Sequence, residues 1–104
     1  MAVTSKALFR GAASTSNTTL YTVPNTSTTT IVTNIAVTNT ATSSATFTLN
    51  LDAVALISGA SISANSIATF DIKQVLPANA TPKTVSGSAS ATTVNFHISG
   101  VEVA

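Results

Sequence analysis

Thr46-Phe47-Thr48-Leu49-Asn50-Leu51-Asp52 decides the fold. Phe47, Leu49 and Leu51 alternate strictly with Thr46, Thr48, Asn50 and Asp52. Successive side chains of a β-strand point to opposite faces, so this stretch has one apolar and one polar face. The same period of two sets Val94, Phe96 and Ile98 against Asn95, His97 and Ser99, and Ala68, Phe70 and Ile72 against Thr69, Asp71 and Lys73. The large inward residues Phe47, Leu49, Leu51, Phe70, Ile72, Phe96 and Ile98 form the predicted core. From Thr29 to Asn39 the run is longer. Ile31, Ile35 and Val37 fall on one parity, Val32 and Ala36 on the other. That pattern predicts a strand covered on part of both faces. Shorter strands are predicted over residues 7–12, 19–23, 54–58 and 84–89.

The punctuation between these runs is made of turn residues. Pro24-Asn25, the polar joint from Asn39 to Ser44, Asp52-Ala53, Gly59, Ala64-Asn65-Ser66 and the stretch from Leu76 to Pro82 all break the alternation. Gly100 interrupts the last run, so Val101 and Val103 are expected to resume it after a bulge. Residues 51–60 hold enough Ala and Leu to suggest a helix, but the stretch is short and uncapped. About eight short strands, spaced roughly 8–12 residues apart, predict an all-β chain. The expected architecture is a single antiparallel β-sandwich, jelly-roll or immunoglobulin-like. Residues 1–16 read as an N-terminal arm or an extra edge strand, and 17–104 as the sandwich domain.

Composition narrows the function. Ser and Thr make 34 of 104 residues, whereas only Lys6, Arg10, Asp52, Asp71, Lys73, Lys83 and Glu102 are charged. With no Cys there is neither a disulfide scaffold nor a thiolate zinc site. Four cations do not make the basic footprint of a nucleic-acid binder. The longest unbroken apolar run, residues 53–57, falls far short of the ~20 residues that span a bilayer. Lys6 and Arg10 interrupt any apolar core of a Sec-type leader. A soluble protein with no nucleic-acid or membrane partner is expected.

Little in the chain carries chemistry. His97 is the sole histidine and lies on the polar parity of its strand. A triad through Asp52 or Asp71 has no G-x-S-x-G elbow to position its serine. Asp52, Asp71 and Glu102 are isolated and form no calcium loop. Asp71 and Lys73 share a predicted strand face and are expected to pair with each other or across strands. Tyr21, next to Pro24, reads as a residue at the core's edge with its hydroxyl in water, or as a sugar-stacking platform. The three N-x-[ST] sequons match what chance gives in so hydroxyl-rich a chain. No catalytic residue, cofactor or metal is expected.

Sparse charge leaves sheet edges without their usual protection, which favours a chain whose edges are occupied by partners. LYTVP at Leu20, TTTIVTNIAVTNT at Thr28, TFTLNLDAVAL at Thr46, SISANSIATFDIKQVL at Ser61 and VNFHISGVEV at Val94 resemble, in that order, small virion proteins of tailed bacteriophages. The resemblance runs from Leu20 to the end, about four-fifths of the chain. Related sequences often read Asp-Gly where this chain has Asp52-Ala53. The resemblance implies a non-enzymatic structural protein. The expected role is that of a capsid decoration, or cement, protein on the outer surface of the virion. Its expected partners are itself, as a homotrimer, and the major capsid protein. A tail or head-fibre component, or a carbohydrate-binding host-attachment module, is the alternative. Lys6, Phe9 and Arg10 in the N-terminal segment are the candidate inter-subunit contacts.

Overall fold

Threonine, valine and isoleucine branch at Cβ and suit a pleated surface. The computed structural model describes residues 2–104; Met1, the first residue of the predicted arm, lies outside the described residues. Among the described residues it holds nine strands and no helix. They are β1 (Val3–Ala12), β2 (Thr18–Thr22), β3 (Thr29–Asn39), β4 (Ala45–Leu51), β5 (Val54–Ile62), β6 (Ser66–Phe70), β7 (Gln74–Leu76), β8 (Thr84–Ala89) and β9 (Val94–Val103).

Pairing follows a mirror rule along the chain. β1 pairs with β9, β2 with β8, β3 with both β6 and β7, and β4 with β5, all antiparallel. β6 and β7 are two pieces of one edge strand along β3. The set is therefore one long hairpin. Rolling it up adds the β3·β9 and β4·β8 ladders. The result is a sheet ordered β1-β9-β3-β6, with β7 also on β3, and a second sheet ordered β2-β8-β4-β5. Of the two expected architectures this is the jelly roll, an eight-strand sandwich of two Greek keys with one strand broken.

The core lies between the sheets. Val32, Ile35, Val37, Val94, Phe96 and Ile98 fill it from the first sheet, and Phe47, Leu49 and Val85 from the second. Phe47 is its hub, with the Phe70 and Phe96 ring centroids each 6.2 Å away. Four of the seven predicted core residues are fully buried. Leu51, Phe70 and Ile72 are only half-buried and pack against the core from the open side. Phe70 lies on the edge strand β6 and Ile72 in the break that follows it, while Leu51 is the last residue of β4, beside the exposed β4–β5 turn.

Two bulges correct the reading of parity. In β3 the register against β9 slips between Val32 and Asn34, so Thr33 is an extra residue. The slip puts Val32 and Ile35 on the same inner face and turns Ile31 outward. The mixed parity thus records a bulge, not cover on both faces. In β1 the register slips between Ala7 and Phe9, and the extra residue, Leu8, is buried. Both slips flank β9 around Ser99, the β3 slip between Gly100 and Ser99 and the β1 slip between Ser99 and Ile98, and β9 itself runs on without one. The bulge expected at Gly100 therefore lies in its neighbours. Glu102 keeps the inward parity, and Val101 and Val103 face out.

Other boundaries differ for local reasons. β1 begins at Val3 and is laddered to β9 over its whole length, so residues 3–12 are the edge strand of the sheet. Asp71 and Lys73 lie in the break between β6 and β7, not on a strand. β7 is not predicted from sequence, where Leu76 reads as the start of the break to Pro82; it is strand because Ile31 and its neighbours offer it a ladder. Asn39, buried at 2 %, organises one end of the roll. Its amide nitrogen donates to the carbonyls of Ser43, Ile62 and Ser63, while its oxygen accepts from the Ala41 amide and the Thr93 hydroxyl.

Candidate interaction surface

A jelly roll of two open sheets has four edges, and each invites another strand. Here they are blunted mostly by geometry. β1 carries Lys6, Arg10 and the Leu8 bulge. β2 has an extra residue at Leu20. β5 has two, one between Ile57 and Ala60 and one between Ala55 and Ile57. The first of these uses Gly59 at φ +61, whose amide donates to the Thr48 hydroxyl. β7 is three residues long, between Lys73 and Pro77. Bulges twist an edge away from flat pairing, which offsets the shortage of charge.

Among the described residues Val3 and Ile67 are exposed singly, whereas Val54, Leu56 and Val75 gather at one place. Between β5 and β7 the sheets part and leave an open cleft of about 380 Å³, lined by Leu51, Val54, Leu56, Val75, Leu76 and Pro77 among others. Leu76 is buried at its floor, whereas Val54 is 67 % and Val75 57 % exposed. Val75 lies across from Ile31, and Ile31 across from Val101, so the apolar row continues over the outer face of the first sheet. The β4–β5 turn at the cleft's rim has Asp52 at φ 54 and Ala53 at φ 60, the two positive φ angles of a type I′ hairpin. The Lys83 amine, 3.1 Å from an Asp52 carboxylate oxygen, neutralises it.

The three residues predicted to make contacts are not brought together. Phe9 packs against the chain's own core. Lys6 sits 3.4 Å from Glu102. Arg10 faces outward, across the ladder from His97. Tyr21 is buried, which removes it as a sugar platform. Nor is its hydroxyl in water: it donates to Glu102 at 2.5 Å and is 2.8 Å from the Thr30 hydroxyl. Burial, then the hydrogen bond to Glu102, pushes the Tyr21 phenol up to about 12. This Lys6–Glu102–Tyr21–Thr30 group ties the two sheets together. Among the described residues no three His, Cys, Asp or Glu side chains gather as a metal site. Nor is there, among the described residues, a helix long and apolar enough to cross a membrane. Val54 and Leu56 stand about twenty residues before Val75, so only the fold brings the three to one cleft; the one signal in the sequence is an uncharged β5.

The fold and its mirrored pairing define a jelly-roll sandwich. A chain of the T13 infectious bursal disease virus particle has a similar fold, with a TM-score of 0.52 and 9% identity over 97% of this chain. This chain spans only 30% of that one. Weaker likenesses are to a chain of infectious bursal disease virus strain Gx (TM-score 0.45, 15% identity, 97% of this chain and 30% of that one) and to dimeric latent PorU from Porphyromonas gingivalis (TM-score 0.40, 12% identity, 97% and 9%). No protein-family model and no curated protein matches the chain.

Proposed function

We propose that this chain is a non-enzymatic virion structural protein that self-associates and docks on the outer face of a tailed-bacteriophage capsid as a decoration protein. The jelly roll carries the reading, because it is a framework of viral capsid domains, and the similar fold in a viral particle accords with it. The surface supports it too. Only seven side chains are charged, so adhesion relies on hydroxyls, backbone groups and the apolar row from Val101 to Val75. Residues Leu20 onward add the resemblance to phage virion proteins.

The test mixes the purified chain with undecorated heads of the phage that encodes it, at low and high salt, and counts bound copies. Saturable binding that changes little with salt is expected, since salt chiefly screens exposed charge pairs. Absence of binding at both salt concentrations overturns the reading. Binding to isolated tails or to a glycan in its place points to the fibre or host-attachment alternatives.

A further inference from the structure

The cleft between β5 and β7 has features that select its occupant. Among the described residues three of the five exposed large hydrophobic side chains, Val54, Leu56 and Val75, border it. Exposed apolar groups gathered in one concave place mark an interaction site. Charge then says what fills it. Among the described residues the acids Asp52 and Glu102 are matched within the chain by Lys83 and Lys6. Asp71 and Lys73 are exposed, opposite in sign and without an ion-pair partner. They stand two residues apart on the segment that leads into Gln74, itself part of the cleft wall. A plus and a minus placed so closely beside an apolar patch satisfy each other when the same patch meets itself across a two-fold axis.

We propose that this chain forms a two-fold dimer in which the β4–β5 hairpin of each copy seats Val54 and Leu56 in the cleft between β5 and β7 of the other. Asp71 of each copy then faces Lys73 of its partner, twice over. The two-residue turn makes the hairpin tip narrow, and Lys83 has already neutralised Asp52, so no unpaired charge enters the apolar contact. The β5 bulges at Leu56 and Gly59 spoil a continuous ladder, so side chains, not sheet extension, make the joint. The row Val75–Ile31–Val101 widens it beyond the cleft. The inference rests on the self-association in the reading above and not on the virion. A trimer, expected from sequence, requires two different complementary patches, whereas this patch complements itself.

Sedimentation velocity on the full chain tests it without any virion. The expected species is twice the 10.4 kDa chain mass. Val54→Asp puts like charges into both clefts and is expected to weaken the dimer by roughly tenfold or more. Position 54 is exposed, so the variant keeps its β-type circular dichroism. Val3→Asp, on the far edge of the first sheet, leaves the dimer unchanged. Asp71→Lys and Lys73→Asp each weaken it, and an equimolar mixture of these two variants recovers a dimer. The double exchange recovers it as well. A monomeric or trimeric wild-type chain overturns the proposal, as does a mixture that gains nothing. A wild-type monomer that binds heads overturns the dimer and the self-association but leaves docking on heads standing, whereas a dimer that binds no heads keeps this inference and overturns the virion reading, so the two failures are distinct.

Discussion

Tyr21 on β2 donates a 2.5 Å hydrogen bond to Glu102 on β9, joining the two sheets of the roll. Glu102 faces inward because β9 passes Gly100 without changing parity. The carboxylate is thereby placed where it needs a donor, and Tyr21 and Lys6 supply one from each side. Thr30, fully buried beside them, completes the group.

Tyr21→Phe removes the donor and leaves Glu102 partly unsatisfied. A hydrogen bond to a charged group is worth about 1.5–3 kcal/mol. We expect a loss in that range by urea denaturation. The pH profile gives a second readout. The folded Tyr21 pKa of about 12 lies above its usual 10, so its contribution is complete below pH 10. It is lost as pH rises from there through about 12. Wild-type stability falls in that window, and the Tyr21→Phe profile is flatter.

Ala53→Gly tests the hairpin turn. Ala53 holds φ 60, a region that costs a residue with a Cβ about 1 kcal/mol or more. Glycine relieves that strain at the expense of some unfolded-state entropy. A gain of roughly 0.5–1 kcal/mol in urea stability is expected. Unchanged or lower stability contradicts the I′ assignment.

Gly100→Ala tests the paired bulges. A Cβ there collides with the Ile31 carbonyl oxygen and lies 2.9 Å from Leu8 Cδ1. Ile31 and Leu8 lie at the two bulged strands, and the backbone oxygen has no rotamer to move to. Overpacking of this kind costs about 1–3 kcal/mol, occasionally more. We expect the top of that range in chemical denaturation.

The aromatic core yields a graded pair. Phe96→Ala, at a position with no exposure, is expected to cost about 3–5 kcal/mol. Phe70→Ala removes a half-buried ring and costs less. Equal losses in matched denaturation curves contradict the edge position of Phe70.

Asn39→Ala strips the carbonyls of Ser43, Ser63 and Ile62, the last residue of β5, of this donor. Each buried group left unpaired costs about 1–3 kcal/mol. We expect a loss of at least that size, with faster amide exchange around residues 40–44, 63–65 and 90–93.

Local alternation was enough to read most of the strands. Phe47 and Leu49, or Val94, Phe96 and Ile98, face inward in the structure as their period of two requires. The turn at Asp52-Ala53 was legible for the same reason, since a hairpin's chemistry is held in a few adjacent residues. The bulges at Leu8 and Thr33 were not, because an extra residue is defined only against the strand beside it. The contact surface lay further out of reach. Lys6 and Phe9 are absorbed by Glu102 and the core, whereas Val54, Leu56 and Val75 meet at one cleft. Sequence alone determined most of the strands and which way most of their residues face, because pleating is local. Tertiary structure alone decided that the mirrored pairs roll into a jelly roll and that β7 stops short opposite β5, because strand order and edge position depend on contacts distant in the chain.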